Sequence, residues 1–428
     1  MNEAGAQKAS ELLQENHEKH HVFFNRAGFH NHIVHHLLTL YAIGATPDEI
    51  QKQYDQNKSY QRAPLPVKAE DVEALHDPAQ FKKCLGKEKY YADYLAFFKR
   101  EMEREGWHNV VNTYLFKGDE QADDLLRRVA LTQYDIQGFL HPLIHLGFGI
   151  EFQQPAIIAE ALAQACCHND SRLGEYLLPS ETQANNTITP SNSLVELLDA
   201  IHADTEIRSA AHWTDGNKIR DGILGRAGAK MVSYASRYTV PPSASLDEKT
   251  AEMINTAVYF TACAQNPTYG VMFDFYFMHC ANASLFSSAF NVQEWITERD
   301  KRRLLEWKGR MDLIMYASCA CPKLSLGDIE EYRSSPFSGG RDVFERVRVL
   351  DGDDGHAAKL VRAFAHGAVL SRPFEGRTGF RMEMRQWEKV GDMVMDSVEE
   401  AGRGETWVRG AGFEEAWGDV PRRMEIQL

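Results

Sequence analysis

The sequence predicts an all-α protein, and three observations support that class. Apolar residues recur at helical spacing over most of the 428 residues, strand-type alternation is nearly absent, and Pro and Gly stand where apolar segments begin and end. No fixed-period repeat or low-complexity linker interrupts this pattern. We therefore expect one large multi-helix domain over residues 1–428, with the active site between helices; a loosely bipartite helical assembly is the alternative.

The N-terminal region carries the clearest helix signals. The pattern predicts a helix from about Lys8 to Ala45, and its apolar stripe consists of Ile33, Leu37, Leu40 and Tyr41. The next helix should begin at Thr46-Pro47-Asp48-Glu49, where Thr46 caps, Pro47 takes the first helical position and Glu49 completes a capping box.

Three further segments lead to specific expectations. Pro142 lies inside an apolar segment that starts near Asp135, so we expect a break or kink beside His141. The polar residues 179–193 are typical of a loop. Residues Gly355–Leu370 should form a helix that is capped by Asp353 or Asp354.

Composition excludes several classes of protein. The net charge is −14 and the Lys and Arg residues are scattered, so we expect no nucleic-acid partner. No run of about 20 apolar residues predicts a membrane span, and the polar N-terminus is unlike a signal peptide. Seven cysteines without a CxxC motif indicate reduced thiols and a cytoplasmic protein. Motifs for nucleotide phosphates and for a serine nucleophile are absent, so no organic-cofactor site is predicted.

Histidine is the compositional anomaly, with seventeen residues. Five segments place histidine in apolar helical sequence, namely His32 with His35 or His36, His141 with His145, His279, His356, and His366. A single such residue is usually a core histidine that is bonded to a carbonyl, but each buried imidazole needs a partner and one shared metal would satisfy several. The pairs His32/His36 and His141/His145 have chelating i, i+4 spacing. Many imidazoles with few carboxylates suit iron, copper or zinc, and the HExxH motif of zinc proteases is missing.

Lys359 follows His356 by three residues, on the same helical face and beside apolar positions. Burial near a cation would depress the pKa of this amine. A neutral amine can combine with carbon dioxide to give a carbamate, which is an anionic oxygen ligand. The alternative is that Lys359 reaches solvent or pairs with Asp353 or Asp354.

Four stretches resemble the questin oxidase-like family of fungal polyketide-tailoring oxygenases. They are FHNHIVHHLLTLYAIGATPDEIQKQYDQNKSYQR, GFLHPLIHLGFGIEF, FYFMHCANASLF and DGDDGHAAKLVRA, and they occur in this order along nearly the whole chain. The resemblance implies an enzyme that opens a ring of an anthraquinone without a flavin. It also implies a mononuclear non-heme iron held by four histidines and a carboxylated lysine.

Carried over residue by residue, the resemblance assigns the metal ligands to His32, His141, His279, His356 and Lys359. His36 and His145 are then neighbours of the ligands or of the substrate; the alternative is that His36 replaces His32, or His145 replaces His141, as a ligand. His145 and Tyr276 are the candidates for catalytic acid or base. The aromatic residues before His279 are core residues or the wall of a flat substrate pocket.

The expected function is that of an iron(II)-dependent oxygenase that cleaves a ring carbon–carbon bond of an anthraquinone-type polyketide in secondary metabolism. Its partners would be O2 and a small aromatic substrate. One alternative is a metal-independent, NADPH-using Baeyer–Villiger monooxygenase, and another is a non-catalytic helical polyketide-binding protein. The oligomeric state is not predicted.

Overall fold

A computed structural model describes residues 3–130, 140–168, 173–186, 191–334, 341–400 and 406–423. These residues form helices joined by loops, and their only β-type pairing is in isolated bridges such as Asp274 with Val408. The predicted all-α class is therefore confirmed. No helix within these ranges combines the length and the apolar character that a bilayer crossing needs.

The chain packs as two compact units, which are described separately. Unit 1 comprises Met1–Gly174 and Phe286–Lys301, and unit 2 comprises Glu175–Leu285 and Arg302–Leu428. The assignment of 1–428 to one domain stays a prediction.

The first ten α-helices lie in unit 1. They are α1 (Glu3–Lys19), α2 (Ile33–Ala42), α3 (Pro47–Lys58), α4 (Ala69–Ala74), α5 (Pro78–Cys84), α6 (Tyr91–Glu105), α7 (Trp107–Val111), α8 (Glu120–Ala130), α9 (His141–Glu151) and α10 (Pro155–Cys167). A 3-10 turn, Glu88–Tyr90, and a π-helical segment, Asn112–Phe116, accompany them.

The remaining α-helices follow in chain order, and α17 lies in unit 1. They are α11 (Gly174–Asn186), α12 (Leu194–Ala203), α13 (Thr205–Arg208), α14 (Gly225–Ala235), α15 (Leu246–Cys263), α16 (Phe275–Ser284), α17 (Phe286–Asn291), α18 (Glu298–Ser318), α19 (Leu326–Glu331), α20 (Val343–Arg348), α21 (His356–Ser371) and α22 (Met384–Glu400). A π-helical segment, Lys218–Leu224, and 3-10 turns at Arg372–Phe374 and Glu414–Trp417 complete the set.

The core of unit 1 begins with the predicted stripe of α2. Ile33, Leu37 and Leu40 are buried against Leu12 of α1 and Ile50 of α3. The capping box that starts α3 is present as predicted, with both reciprocal hydrogen bonds between Thr46 and Glu49. Helices α9 and α10 pack together in the same unit. The apolar spacing thus fixes which face of α2 is buried.

The core of unit 2 is built around α15, which is buried continuously from Thr250 to Cys263. Helices α16 and α21 both pack on α15 and on each other. The ring of Phe277 on α16 lies edge-on to Phe260 of α15, with centroids 5.0 Å apart. The two helices that carry His279 and His356 are therefore neighbours on one buried support.

The predicted continuous helix from Lys8 to Ala45 is wrong, because α1 ends at Lys19 and α2 begins at Ile33. The intervening chain turns back on itself. Gly28 adopts a left-handed φ of 79°, and the Phe24 amide bonds the Phe29 carbonyl at 2.8 Å. This turn brings the chain to His32 at the start of α2.

Two predictions about proline also need correction. Residues 179–186, expected as loop, belong to α11, because burial of Tyr176, Leu177 and Ser180 outweighs the hydrogen bond that Pro179 cannot make. Of the predicted break or kink beside His141, only the kink is wrong: Pro142 lies in the first turn of α9, where amides have no intrahelical acceptor, and the helix begins at His141. The earlier part of that predicted segment, 135–139, lies outside the described residues.

Candidate metal centre

In unit 1, His32 and His141 face each other through the same ring atom. Their Nε2 atoms are 2.8 Å apart, and both side chains are buried. Two nitrogen ligands at right angles on a metal, each at about 2.1 Å, would be about 3 Å apart. The pair therefore has the spacing of neighbouring ligands; without an ion, one ring donates a hydrogen bond to the other.

Asn31 fixes the position of His32. Its side-chain amide donates to Asn16 Oδ1 at 2.8 Å, and its Oδ1 accepts from the Ile33 amide at 3.0 Å. The residue thus ties the first turn of α2 to helix α1. His32 is the residue just before α2.

His141 is the first residue of α9 and follows an unusual backbone conformation. Leu140 has a left-handed φ of 53°, which is rare for a residue with a branched side chain. The ring of His30 stacks on His141 with centroids 4.2 Å apart and planes 6° apart. The backbone turn and the stacked ring together define where His141 points.

The first turn of α2 and the second turn of α9 bring His35 and His145 together. His35 Nε2 is 3.0 Å from His145 Nδ1, and His145 Nε2 is 2.8 Å from Glu160 Oε2. Burial raises the pKa of Glu160, but hydrogen bonds from His145 and from His17 outweigh it and bring the pKa to about 2. His145 is therefore bound to a carboxylate and to a second imidazole. His36 is also buried on α2.

In unit 2, Asp274 and a carbonyl oxygen position His279. The Asp274 carboxylate caps α16 by accepting from the amides of Tyr276 and Phe277. One turn later, His279 Nδ1 lies 2.7 Å from the Phe275 carbonyl, which can only accept, so Nδ1 carries the proton. The lone pair of His279 is then on Nε2, which is the form that binds a metal.

His356 starts α21 and has the same arrangement with a carboxylate. Its Nδ1 donates to Asp354 Oδ1 at 2.5 Å, which again leaves the lone pair on Nε2. Asp353 accepts from the amides of Gly355, Ala357 and Ala358. Of the two aspartates predicted to cap this helix, Asp353 is the one that accepts from the amides of Ala357 and Ala358 in its first turn. The His356 and His279 rings have centroids 5.0 Å apart.

Lys359 lies one turn beyond His356 and is only 1% exposed. Its Nζ atom has no hydrogen-bond partner among the described residues. Burial lowers the pKa of Lys359 to about 8, against the opposing effect of Asp354 and Asp353. The amine is therefore partly neutral near pH 8, and it neither reaches solvent nor hydrogen-bonds either aspartate.

The other predicted residues of unit 2 are less enclosed. Tyr276 is half-buried in the first turn of α16, three residues before His279. His366 is half-buried on α21, and burial lowers its pKa to about 4.

The donor set of each unit fits a nitrogen-preferring transition metal. Unit 1 offers two facing Nε2 atoms, and unit 2 offers two imidazoles whose Nδ1 atoms are already engaged by oxygen. A buried amine without a partner adds a group that carboxylation would make anionic. These features suit iron, copper or zinc better than magnesium or calcium. The five-ligand site of His32, His141, His279, His356 and Lys359 stays a prediction.

Sequence reasoning missed several groups around the imidazoles. Glu160 bonds His145 although it is distant in sequence, and His30 and His168 stack near His141. A signal for Glu160 existed, because it is the only charged residue in the apolar helix PAIIAEALAQACC. A charged side chain in such surroundings needs a partner.

The chain has clear relatives. Residues 29–364 match the family model described as questin oxidase-like. The chain is 38% identical to the Baeyer-Villiger oxidase ptaJ of Pestalotiopsis fici over 419 residues, which cover 96% of this chain and 93% of the relative. It is 38% identical to a questin oxidase of Aspergillus fumigatus over 425 residues, with 96% and 93% covered. Oxidoreductase AflY of Aspergillus parasiticus is 38% identical over 453 residues, with 98% and 90% covered.

Proposed function

The chain belongs to the questin oxidase-like family, and from this premise we propose that it is an oxygenase that cleaves a ring of an anthraquinone-type polyketide. It is an oxidoreductase, as its relatives are by name. The substrate class follows the relatives that are named questin oxidase. The proposed co-substrate is O2.

We further propose that the enzyme uses iron(II), held by His32, His141, His279, His356 and the carbamate of Lys359. Iron(II), when bound, would supply the electrons that activate O2. The observation that carries this proposal is the buried Lys359 amine, which lacks a hydrogen-bond partner and stands one turn from an imidazole whose Nε2 carries the lone pair. Carboxylation of that amine consumes one CO2, forms a nitrogen–carbon bond and releases one proton.

The chain's own residues have distinct tasks in this proposal. Phe275 and Asp354 hold the Nδ1 protons of His279 and His356, so that both rings keep one orientation. The apolar surroundings of α16 exclude water from the reacting groups. Tyr276 and His145 remain the candidates that give or take a proton.

Metal analysis with turnover tests the iron proposal. Protein stripped with a chelator should lose ring cleavage, and iron(II) should restore it, whereas zinc should bind without restoring it. The metal content of the active protein should approach one iron per chain. Full activity in the stripped protein would contradict the proposal.

Variants at Lys359 test the carbamate. Lys359→Met should fold and lose iron affinity by about 10- to 100-fold, and Lys359→Glu should recover part of it because a carboxylate is restored. In wild-type protein, 13C-labelled carbon dioxide should give a carbamate signal in the carbon NMR spectrum that Lys359→Met lacks.

The matched control is Lys218→Met. Lys218 is also buried in unit 2, and burial also lowers its pKa. This variant should keep both the iron and the carbamate signal. Loss of iron in the control to the same extent as in Lys359→Met would assign the effect to folding, and the carbamate proposal would fail.

A second candidate is a Baeyer–Villiger reaction that uses NADPH, and the names of several relatives favour oxygen insertion beside a carbonyl. Oxygen consumption with and without NADPH separates the two. A strict NADPH requirement in metal-free protein would select this candidate. Iron-dependent turnover without NADPH would favour ring cleavage in which both atoms of O2 are incorporated into the product.

A further inference from the structure

Glu160 connects two histidines in unit 1. Its Oε2 accepts from His145 Nε2 at 2.8 Å, and its Oε1 accepts from His17 Nδ1 at 2.6 Å. On the far side of His145, Nδ1 lies 3.0 Å from His35 Nε2. Four titratable side chains from helices α1, α2, α9 and α10 therefore form one unbroken hydrogen-bonded chain, which we call the His17–His35 chain.

The outer end of this chain reaches a surface cleft of about 440 Å³. His17 and Glu160 both line the cleft, and His17 Nε2 accepts from the exposed Lys99 Nζ at 3.1 Å. The inner end is buried, since His35 and His145 are 1% and 2% exposed. The His17–His35 chain thus connects solvent in the cleft to imidazoles that are buried away from solvent.

We propose that His17 and Glu160 relay protons between solvent in the cleft and His145. The inference rests on the proposed function, because a buried oxygenase site needs a route for protons. His145 is a candidate for giving or taking a proton in the proposed reaction, and it must exchange that proton with solvent before the next turnover. The cleft is the place where that exchange begins.

The path of one inward proton can be followed atom by atom. Solvent protonates His17 Nε2, and His17 releases its Nδ1 proton to Glu160 Oε1. Rotation of the neutral carboxyl group about its Cγ–Cδ bond turns that proton towards His145 Nε2, which takes it when the ring is in its Nδ1-protonated form. Glu160 is then a carboxylate again, and a flip of the neutral His17 ring returns its proton to Nδ1. His145 carries the added proton and one positive charge until it gives that proton up.

Glu160 is a carboxylate at rest, because the hydrogen bonds from His145 and His17 lower its pKa although burial raises it. It is protonated only while a proton passes from one histidine to the other.

Other charged and titratable groups share the cleft with His17 and Glu160. They are Glu18, His20, Tyr91, Lys99, Arg100 and Glu103. His20 lines the same cleft without belonging to the chain, so it offers a matched control. Any change in cleft shape or charge caused by removing an imidazole should also appear in a His20 variant.

Chemical rescue in the iron-loaded full-length enzyme tests the relay. In dilute non-imidazole buffer, His17→Ala should lower kcat tenfold or more with KM for the aromatic substrate unchanged, and added imidazole should restore kcat with saturation. Glu160→Gln should lower kcat without rescue, and His20→Ala should match wild type. A His17→Ala enzyme that keeps wild-type kcat at all buffer concentrations would overturn the proposal.

A second measurement needs no oxygenase activity. Proton NMR of the metal-free protein, labelled with 15N at histidine, gives the rate at which the His145 Nε2 proton exchanges with water. This exchange should slow at least tenfold in His17→Ala and in Glu160→Gln. If Glu160→Gln does not fold, Glu160→Asp is measured in its place. Unchanged exchange would overturn the relay, whereas slowed exchange in a protein without oxygenase activity would leave the relay standing and reject the proposed function alone.

Discussion

Asp274, which caps the helix that carries His279, accepts a hydrogen bond from the amide of Gly410 at 2.6 Å. The same side chain accepts from the amides of Tyr276, Phe277 and Ala411. Gly410 has a left-handed φ of 93°, so the backbone turns there towards the carboxylate. One aspartate thus fixes the start of α16 and a distant loop of unit 2 together.

We expect Asp274→Ala to destabilise the protein by more than an ordinary cap does. Loss of a capping side chain typically costs about 1 kcal/mol, and here two further buried amides lose their acceptor, at about 1–3 kcal/mol for each unsatisfied group. Urea unfolding should show a loss of several kcal/mol, on the order of 3. Iron affinity should also fall, since the turn that holds His279 is no longer fixed.

The control for Asp274 is Asp77→Ala. Asp77 caps α5 through the single amide of Ala79 and lies in unit 1. Asp77→Ala should lower the free energy of unfolding by about 1 kcal/mol and leave iron affinity unchanged. Equal losses of stability in the two variants would contradict the role given to Asp274.

The sequence alone predicts the parts of the fold that local chemistry determines. Apolar spacing located the buried face of α2, and the Thr46–Glu49 pattern located the start of α3 to the residue. The resemblance to the questin oxidase-like family is confirmed. These features depend on residues within a few positions of each other.

What the sequence could not predict depends on long-range contacts. The break between α1 and α2 arises from a turn at Gly28. This glycine lies between two histidine-rich stretches, and the sequence around it gives no clear signal that a helix ends. The bond between Glu160 and His145 joins two helices whose relative rotation no local pattern encodes. The polar composition of residues 179–186 predicted a loop, but burial of three side chains of α11 stabilises a helix there.

A buried ion pair on α18 leads to the second prediction. Lys308 Nζ lies 2.5 Å and 2.6 Å from the two oxygens of Asp312, and both side chains are almost fully buried. Lys308→Met should cost about 3–5 kcal/mol in urea unfolding, because it leaves a buried carboxylate without its cation. Burial already raises the pKa of Asp312, against the effect of Lys308.

The double variant Lys308→Met with Asp312→Leu provides the control for that pair. Replacing both partners by apolar groups removes the unpaired charge, so stability should return to within about 1 kcal/mol of wild type or exceed it. A double variant as unstable as Lys308→Met would mean that the loss comes from packing.

Close packing of α9 on α17 leads to the third prediction. A methyl group on Gly147 would lie 2.2 Å from Phe286 Cγ, much closer than two carbon atoms can approach. Gly147→Ala should therefore cost about 1–3 kcal/mol and shift the turn that carries His145. Changing Phe286 to Leu in the same protein should recover part of the loss.

Gly228→Ala is the matched control for Gly147. Gly228 lies inside α14, and a methyl group there meets nothing within 4 Å. Alanine should stabilise this helix by about 0.5–1 kcal/mol because it restricts the unfolded chain. A similar gain from Gly147→Ala would show that the contact between α9 and α17 has room for a methyl group.

His168 leads to a prediction about acid. Burial, followed by the charge of Arg128, lowers the pKa of this imidazole from 6.5 to about 4. Between those two values the unfolded chain binds a proton that the folded protein does not, so stability should fall as the pH drops from 6.5 to 4. The full contribution is about 3 kcal/mol, since one pKa unit equals about 1.4 kcal/mol. Urea unfolding of metal-free His168→Leu at a series of pH values tests this. The free energy of unfolding of the variant should change less steeply with pH over this range than that of wild type, by the uptake of about one proton. An unchanged pH dependence would mean that His168 is already charged in the folded protein.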